Sequence, residues 1–345
     1  MKAVVIHGAK DLRIEERPIP EPAEGEVRLK LRYVGICGSD MHYYHEGKVG
    51  VSVIREPMVP GHEVSAVIDK LGPGVEGLSV GQPVTANPTT NCGTCSYCLT
   101  GHQNLCPSLR YLGSAARLPH TQGVMQEYSV LKAYQIIPLP DTLDLKIAAC
   151  VEPLGIALHA VSFAGSFIGK KVFISGAGTI GSLVAAVVKM GGASRVTISD
   201  VQAFPLETAK KLGADVAVNA LDKEAMDSLA EGFDVCLEAS GSTPGMNACI
   251  RNVKPGGRLI HVGYQPEALV PYPVNPMLLV KEVTACGSQR AYFEFAVAVD
   301  LLSAGRIDVA PLITGVYPLE SAEEAIKTAT DKSRSMKVLL KSPEL

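Results

Sequence analysis

A glycine-rich turn between an apolar run and an alanine-rich run constrains this chain more than any other feature. Gly176, Gly178 and Gly181 follow the pattern G-x-G-x-x-G, directly after the strand-like run Val-Phe-Ile-Ser at 172–175 and before an Ala/Val-rich stretch ending at Met190. In a strand–turn–helix unit the first glycine allows a tight turn, the second lets a pyrophosphate approach the backbone, and the third lets helix and strand pack closely. The pattern alone also occurs in incidental turns, but this context predicts a dinucleotide-binding unit.

Asp200 ends the next predicted strand and lies 24 residues after Gly176. An acidic residue there accepts hydrogen bonds from ribose hydroxyls and repels a 2′-phosphate. Neither Lys nor Arg occurs between Asp200 and Lys210, so a clamp for a 2′-phosphate is not apparent. We therefore predict NAD rather than NADP as the cofactor. The predicted cofactor-binding residues are Gly176, Gly178, Thr179, Ile180, Gly181 and Asp200.

The alternation around this turn predicts an α/β fold. From residue 170 to 288, six β-branched runs alternate with helical stretches, which is typical of parallel βαβ units in a doubly wound sheet. The first 150 residues have short apolar runs separated by Pro and Gly, which indicates an antiparallel barrel or sandwich. The 345 residues suit two domains. A last predicted strand at 336–340 could rejoin the first sheet, making the first domain discontinuous.

Four cysteines lie within fifteen positions, in the order Cys92, Cys95, Cys98 and Cys106. Tetrahedral zinc with four thiolates is a closed, structural coordination, because no position remains for a substrate. A redox pair or a chance cluster is the alternative. We predict structural zinc; the scarcity of Lys and Arg around the loop disfavours a DNA-binding zinc module.

A second group of possible metal ligands lies in two glycine-punctuated loops. Cys37 and His42 lie in the first loop, and His62 and Glu63 follow Gly61 in the second. A lone cysteine is usually a small buried hydrophobic residue, and a lone histidine is often structural. Together with a nucleotide fold, the group suggests an open, catalytic zinc site that keeps an exchangeable water.

The composition argues against other classes of partner. The chain has 32 Lys and Arg against 35 Asp and Glu, so electrostatics predicts no binding to nucleic acid or to anionic membranes. The uncharged run 172–188 barely reaches the roughly 17–25 residues of a membrane span, and its glycines favour a strand–turn–helix. The N-terminus does not resemble a signal peptide, and an odd number of cysteines, nine, suits a reducing compartment. We expect a soluble, cytoplasmic protein.

With these motifs together, the chain resembles the zinc-dependent medium-chain alcohol/polyol dehydrogenases, in particular their sorbitol dehydrogenase branch. The similarity runs almost end to end, through GICGSDMHYY (35–44), PMVPGHE (57–63), CGTCSYCLTGHQNLC (92–106), CVEPLGIALHA (150–160), GAGTIG (176–181) and GSQR (287–290). The resemblance implies a GroES-like catalytic domain over 1–153 and 289–345, with a structural zinc loop at 88–109. It implies a Rossmann NAD-binding domain over 154–288 and a homodimer or homotetramer, paired through the segment after Pro271.

The resemblance also implies the metal ligands. Cys37, His62 and Glu63 would bind the catalytic zinc. Glu152 would be a fourth or exchanging ligand, or would hold the zinc's water; the alcohol dehydrogenases proper have a cysteine there. Asp40 would orient a ligand histidine. Two positions depart from the family pattern: Ala291 replaces the tyrosine that follows the arginine in sorbitol dehydrogenases, and Pro205 replaces an arginine, which argues further against NADP.

The implied reaction is hydride transfer between a secondary hydroxyl and NAD. Ser39 and His42 would relay the released proton through the cofactor's ribose hydroxyl to water, although Ser39 could merely cap a turn and His42 merely orient a loop. Tyr43, Glu152 and Arg290 would hold substrate hydroxyls. A sugar acid needs a cation for its carboxylate as well, and a bidentate arginine fits best. The candidates are Arg110, Arg117, His120 and Arg290, with Arg117 and Arg290 preferred.

Two alternatives stay open at this point. A neutral polyol could replace the sugar acid as substrate, since Ala291 argues against sorbitol itself but not against other polyols. A non-catalytic nucleotide-binding protein could also keep this fold, but it would have no need of an open metal site. The intact set of Cys37, His62, Glu63 and Glu152 therefore favours an enzyme.

Overall fold

The computed structural model of the chain describes residues 1–229, 232–265 and 272–343. Its N-terminal part is built of antiparallel strands separated by long loops. These strands are β1 (Lys2–Gly8), β2 (Asp11–Glu16), β3 (Glu26–Gly35), β4 (Lys48–Val49), β5 (Ser52–Val53), β6 (Glu63–Leu71), β7 (Pro83–Ala86), β8 (Thr89–Thr90), β9 (Arg110–Tyr111), β10 (Tyr128–Lys132) and β11 (Ile136–Pro138).

A parallel sheet follows, and two strands close the chain. The parallel sheet contains β12 (Lys171–Ser175), β13 (Arg195–Asp200), β14 (Val216–Asn219), β15 (Phe233–Glu238), β16 (Val253–His261) and β17 (Thr284–Gly287). The closing strands are β18 (Ile313–Pro318) and β19 (Lys337–Lys341).

The α-helices lie mainly in the second half of the chain. They are α1 (Gly38–Glu46), α2 (Ser96–Leu99), α3 (Leu145–Ala148), α4 (Val151–Ser162), α5 (Thr179–Met190), α6 (Ala203–Lys211), α7 (Lys223–Asp227), α8 (Thr243–Asn252), α9 (Glu294–Ser303) and α10 (Ala322–Thr330). Short 3₁₀ helices occupy Gln103–Leu105, Ala133–Gln135, Ala310–Leu312 and Leu319–Ser321, and a π-helical turn occupies Val274–Leu279. No helix among the described ranges is long and apolar enough to cross a bilayer.

Strand β3 is the centre of the seven-stranded, mainly antiparallel sheet. β6 pairs with it along one edge, while β10 and β19 share the other edge, β10 against residues 26–30 and β19 against residues 33–35. Alternate residues of β3 are fully buried, including Val27, Leu29 and Leu31, which is the two-residue period of a strand with one face on a core. The last strand thus rejoins the first sheet, as the sequence predicted.

The nucleotide-domain sheet has the strand order β14-β13-β12-β15-β16-β17, with every pairing parallel. The order reverses between β12 and β15, and ligands bind at such a switch point, outside the carboxyl ends of the strands. The predicted strand–turn–helix at 172–188 is confirmed as β12 and α5. The two edge strands are β14 and β17; the predicted pairing segment follows Pro271, which itself lies outside the described residues.

Helix α4 joins the two halves of the molecule. It packs on α5 of the nucleotide domain and on α9 near the C-terminus, within one continuous apolar core. The closest approach is at Gly155, where a Cβ atom would lie 2.5 Å from the ring of Phe295. Glu152 lies in the first turn of this helix and is buried.

Candidate functional site

Three possible metal ligands converge where β3 ends and β6 begins. Cys37 lies two residues beyond the end of β3 and caps the N-terminus of α1, while Glu63, the first residue of β6, pairs with Gly35. His62 precedes Glu63 directly. One ligand atom from each of Cys37, His62 and Glu63 lies within 4.8 Å of the other two, so the predicted ligands are brought together.

The Glu63 carboxylate is held in a cavity that a side chain at position 35 would fill. A Cβ atom on Gly35 would lie 1.9 Å from Glu63 Oε2, which is why the strand needs glycine there. Lys337, the first residue of β19, donates hydrogen bonds to Glu63 Oε1 (2.6 Å) and to the Ile36 carbonyl (3.0 Å). Both charged side chains are almost wholly buried.

The cluster leaves buried ligand atoms without hydrogen-bond partners. His62 Nδ1 and Glu63 Oε2 are buried and accept or donate no hydrogen bond. Burial by itself lowers the pKa of His62, but the Cys37 sulfur, with smaller contributions from Asp40 and Glu152, raises it to about 10. Orphaned buried polar atoms are costly, and a thiol, an imidazole and a carboxylate together suit zinc. The residues therefore fit a divalent cation.

Asp40 ties the two ligand loops together. Its fully buried carboxylate accepts hydrogen bonds from the Cys37 amide (2.9 Å) and the Gly61 amide (3.0 Å), one in each loop. Burial raises the pKa of Asp40, and the neighbouring His62 lowers it. The sequence interpretation made Asp40 a partner for a histidine ring; its hydrogen bonds instead go to backbone amides, which fixes where both ligand loops begin.

Glu152 lies next to the three ligands but outside their group. Its Oε1 atom accepts a hydrogen bond from the Tyr111 hydroxyl, and both side chains are buried. Burial raises the pKa of Glu152 and, together with the Glu152 charge, raises that of Tyr111 well above its ordinary value. The Arg290 guanidinium lies 4.6 Å from the centroid of the Tyr111 ring. Burial lowers the pKa of Arg290, while Tyr111, Tyr43 and Glu152 raise it, and no described carboxylate forms a direct ion pair with this arginine.

The other cysteines form a compact sulfur cluster. The Sγ–Sγ distances are 3.5 Å between Cys95 and Cys98, 3.6 Å between Cys92 and Cys106, and 3.9 Å between Cys92 and Cys98. Zinc–sulfur bonds of about 2.3 Å in a tetrahedron place the sulfurs about 3.8 Å apart, so the cluster fits zinc with four thiolates. All nine cysteines of the chain are free of disulfides.

The space available for a side chain differs among the three glycines of the turn. At Gly176, where φ is +95°, a Cβ atom would lie 2.6 Å from the Ser240 backbone, and at Gly181 it would lie 1.8 Å from the Gly176 carbonyl oxygen. At Gly178, which caps α5, a Cβ atom would meet nothing within 4 Å. The space over Gly178 and the free amides at the start of α5, those of Thr179 and Ile180 included, therefore fit a pyrophosphate.

Asp200 closes this turn from the end of β13. Its Oδ2 accepts a hydrogen bond from the Ala177 amide (2.7 Å) and its Oδ1 from the Gln202 amide (2.9 Å). Each carboxylate oxygen keeps a second acceptor position, which a ribose hydroxyl could use.

The metal-ligand cluster and the glycine turn are linked by the chain around α10 and β19. The Thr179 hydroxyl, at the start of α5, donates to the Met336 carbonyl (3.3 Å), next to Lys337. The charge of Lys332 interacts with both Cys37 and Asp200, while burial lowers the pKa of that lysine. The two sites therefore lie near each other, on either side of this segment.

The predicted proton-relay residues lie on the helix that Cys37 caps. Ser39 and His42 are three residues apart in α1, on one face of the helix. His42 is half-exposed, and its Nδ1 is 2.6 Å from Glu46 Oε1, so Nδ1 donates and Nε2 is free to accept. Tyr43 is buried, and its hydroxyl accepts from the Ala115 amide (3.0 Å). Tyr43 also interacts electrostatically with Arg290.

The remaining cation candidates are engaged elsewhere. Arg117 is exposed and donates to the Pro107 carbonyl beside the sulfur cluster, and Arg110 donates to the Pro119 carbonyl. His120 is buried, with its ring between the Arg55 amide and the Arg117 carbonyl. Of the two preferred arginines, Arg290 is the one that contacts the side chains around Glu152.

Comparison with known proteins agrees with this geometry. Residues 23–141 match the family model for the alcohol dehydrogenase GroES-like domain, and residues 179–304 match that for zinc-binding dehydrogenases. An L-idonate 5-dehydrogenase (NAD(P)(+)) of Escherichia coli is 38% identical over 98% of both chains. The chain belongs to the zinc-dependent medium-chain alcohol dehydrogenase family. The predicted family, fold class and enzyme class are thus confirmed.

One further relative and one solved structure show how evenly the similarity is spread. A sorbitol dehydrogenase of Gallus gallus is also 38% identical, over 98% of this chain and 96% of its own. The crystal structure of the Escherichia coli L-idonate 5-dehydrogenase superposes with a TM-score of 0.93 at 37% identity, covering 99% of this chain and 97% of the other. Equal identity to enzymes with different substrates means that the family alone does not select the substrate.

Sequence reasoning missed three side chains that interact with the site residues: Tyr111, Lys332 and Lys337. Tyr111 follows the cysteine loop and carries no motif of its own. Both lysines lie in an ordinary-looking charged stretch near the C-terminus. A signal for Lys337 existed in its position as the second residue of the last strand predicted over 336–340, but which carboxylate it meets depends on the pairing of β19 with β3.

Proposed function

We propose that the chain is an NAD-linked, zinc-dependent L-idonate 5-dehydrogenase, which interconverts L-idonate and 5-keto-D-gluconate. The observation that carries the choice of a sugar acid is Arg290: a half-buried guanidinium that stacks on Tyr111, feels the Glu152 charge and forms no direct ion pair with a described carboxylate. A buried charge needs a counter-charge, and a substrate carboxylate supplies one in bidentate geometry. A sorbitol- or xylitol-type polyol dehydrogenase is the second candidate, supported by the equal similarity to sorbitol dehydrogenase.

Two zinc ions per chain are proposed, one catalytic and one structural. Cys37, His62 and Glu63 would hold the catalytic ion, with Glu152 beside it, and Cys92, Cys95, Cys98 and Cys106 would hold the structural ion. When bound, the catalytic zinc supplies Lewis-acid polarisation of the reacting oxygen. The chain's own contribution is to fix the ligand loops through Asp40 and the Glu63 carboxylate through Lys337.

The proton that leaves the substrate hydroxyl is proposed to pass along α1. Ser39 would accept it first, and His42 Nε2 would receive it through the cofactor's ribose hydroxyl and release it to solvent. Support comes from the spacing of the two residues, the half-exposed ring of His42 and the Glu46 carboxylate that fixes its tautomer. Tyr43, Glu152 and Arg290 would hold the substrate. Arg117, a substrate ligand in the sequence hypothesis, is not assigned a role.

The cofactor is proposed to be NAD rather than NADP. Gly176, Gly178, Thr179, Ile180 and Gly181 would surround the pyrophosphate, and Asp200 would accept a hydrogen bond from the adenosine ribose. A 2′-phosphate would meet the Asp200 carboxylate and, at position 205, a proline instead of an arginine. Repulsion of one alternative is a common way to achieve specificity.

Two further proposals concern the state of the protein. A homodimer or homotetramer could form at the unpaired edge of β17, near the exposed Leu279 and Val280. Size-exclusion chromatography with light scattering tests this, and a monomer at micromolar concentration would refute it. Nine free cysteines suit the reducing cytoplasm.

The decisive experiment is a substrate panel. We expect kcat/KM with NAD to be at least about tenfold higher for L-idonate than for sorbitol or xylitol, since a hydrogen-bonded charge pair contributes about 1.5–3 kcal/mol. NADP should be the poorer cofactor, and 5-keto-D-gluconate should be reduced with NADH. A preference for sorbitol or xylitol would establish the second candidate instead, and a lack of NAD-linked activity with all four compounds would reject both.

The variant Arg290→Met isolates the assigned cation. It should lower kcat/KM for L-idonate by roughly 10- to 100-fold and for a neutral polyol by much less. Arg117→Met is the matched control, because that arginine is exposed and bonded to Pro107. An equal loss for both substrate types in Arg290→Met would contradict recognition of a carboxylate.

A further inference from the structure

The geometry points to Tyr111 as a positioning residue that keeps Glu152 off the metal ligands and supports Arg290 for an anionic substrate group. This inference rests on the proposed function of the same site. Tyr111 belongs to none of the motifs by which the family resemblance was drawn, and it contacts the site through its ring and its hydroxyl separately.

The hydroxyl of Tyr111 controls Glu152. It donates to Glu152 Oε1 from within the buried cluster, and Glu152 does not belong to the group of ligand atoms formed by Cys37, His62 and Glu63. A carboxylate is a good zinc ligand. A buried carboxylate that lost its hydrogen-bond donor would gain most by moving to the neighbouring cation. The hydroxyl therefore preserves the open position that a catalytic metal site needs.

The ring of Tyr111 has a different task. One face lies 4.6 Å below the Arg290 guanidinium, and the ring also meets the His62 ring edge-on, with centroids 5.3 Å apart and planes 67° apart. Stacking on an aromatic face stabilises a guanidinium without neutralising its charge. Arg290 also has a left-handed backbone, with φ of +58°, so its direction is fixed at both ends. Its hydrogen-bond donors stay available to a ligand.

The surroundings of Tyr111 prevent the ring from moving. Its backbone pairs with Thr89 in the β8–β9 hairpin, and its side chain belongs to the small apolar cluster of Cys98, Cys106 and Leu109. The loop that carries the sulfur cluster therefore also supports Tyr111 where it contacts Glu152. Removal of the hydroxyl alone should leave this support intact.

The test uses Tyr111→Phe in the full-length, zinc-loaded protein, with Tyr134→Phe, an exposed tyrosine, as the matched control. We expect the dissociation constant of the more labile zinc, measured by competition with a chelator, to fall about tenfold as Glu152 joins the ligands. We also expect kcat to fall roughly 10- to 100-fold, while KM for the preferred substrate changes less than about threefold. Tyr134→Phe should change none of these values.

A second pair of proteins separates positioning from packing. Glu152→Ala and Tyr111→Phe/Glu152→Ala should bind the labile zinc equally well, because the tightening requires the Glu152 carboxylate. Tyr111→Leu, which removes the ring, should raise KM for L-idonate about two- to thirtyfold, the range of a cation–π contact. If Tyr111→Leu does not fold, Tyr111→Phe still tests the hydroxyl.

Unchanged or weaker zinc binding in Tyr111→Phe would overturn the inference. So would tightening that persists without Glu152. These metal measurements need no substrate, so they decide the role of Tyr111 even if the panel rejects L-idonate. Conversely, activity on the panel with no effect of Tyr111→Phe would reject the inference and leave the proposed function intact.

Discussion

The two metal-ligand clusters of this chain are built in opposite ways. The four ligands of the sulfur cluster are all cysteines and lie within fifteen consecutive residues, and Cys92 is exposed. The cluster of Cys37, His62 and Glu63 takes mixed ligands from the ends of two strands and is buried against charged neighbours, among them Asp40, Glu152 and Lys337. One is a closed, local cluster and the other an open one that depends on tertiary structure.

This difference assigns two roles, stability and activity, to two separate clusters. Four thiolates satisfy a zinc ion completely, so the local cluster needs nothing from the rest of the molecule except space. In the buried cluster, Oε1 of the Glu63 carboxylate accepts a hydrogen bond from Lys337. The other oxygen, Oε2, has no hydrogen-bond partner among the described residues. An uncompensated buried charge is costly, and proteins keep such arrangements mainly where a ligand or metal compensates them. We therefore expect the local cluster to govern stability and the buried one to govern activity.

The largest expected effect is on activity. Cys37→Ser should lower kcat/KM by at least about a thousandfold, since the metal's contribution to the transition state is several kcal/mol. Bound zinc, measured by mass spectrometry, should fall from two ions to one per chain, while the melting temperature should shift by less than about 3 °C. If the variant lost one zinc ion and kept its activity, the buried cluster would not govern activity and the comparison would be contradicted.

The matched change in the local cluster is Cys98→Ser, which should act mainly on stability. Loss of a structural metal site belongs to the short list of large effects, and we expect the free energy of unfolding to fall by about 4 kcal/mol. At low temperature the folded protein should keep at least about a tenth of its activity. Urea unfolding followed by circular dichroism measures the first value. A Cys98→Ser protein as stable as the parent would contradict the comparison.

The ion pair inside the buried cluster gives the next effect. Lys337→Met leaves the Glu63 carboxylate buried without its partner, which should cost about 3 kcal/mol of stability in zinc-free protein. Added zinc should recover part of that loss, because the cation then compensates the carboxylate. Lys337→Arg, which keeps the charge, is the control. The same loss with and without zinc would mean that Glu63 does not face the metal.

The smallest effect concerns thiol reactivity in the local cluster. In zinc-free protein, hydrogen bonds from the Thr94 and Cys95 amides lower the pKa of Cys92 to about 6, whereas burial raises the pKa of Cys98 to about 12. Thiolate is the reactive form, so at pH 7 iodoacetamide should modify Cys92 at least about tenfold faster than Cys98. The Cys92 rate should fall as the pH drops below about 6, and zinc should protect both. Peptide mass spectrometry reads the rates; equal rates would refute the expected difference.

The same contrast explains what the sequence could predict. The spacing of Cys92 to Cys106 and the glycine turn at 176–181 are local, so the residues that form each site are neighbours along the chain. The alternating pattern of the second half likewise predicted β12 to β17 within a few residues. The same pattern predicts a helix over 206–212. Helix α6 begins three residues earlier, at Ala203, because Pro205 is tolerated in a first turn.

The buried cluster was predictable only in part. Glycine-flanked loops identified Cys37, His62 and Glu63, and the family resemblance added Glu152. The partners of these residues could not be read from spacing: Lys337 meets Glu63 across 274 positions, and Tyr111 meets Glu152 across 41. Arg117 and Arg290 were equivalent as sequence candidates, and only tertiary contacts distinguish the exposed arginine from the one stacked on Tyr111.

The most direct test is an anomalous difference map, collected at the zinc edge, from crystals grown with zinc and NAD. It should contain two peaks per chain, one among the four cysteine sulfurs and one bonded to Cys37, His62 and Glu63. The nicotinamide ring should lie beside the second peak, and the Tyr111 hydroxyl should hold Glu152. A single peak at the sulfurs, or a dinucleotide bound away from Cys37, would contradict the account.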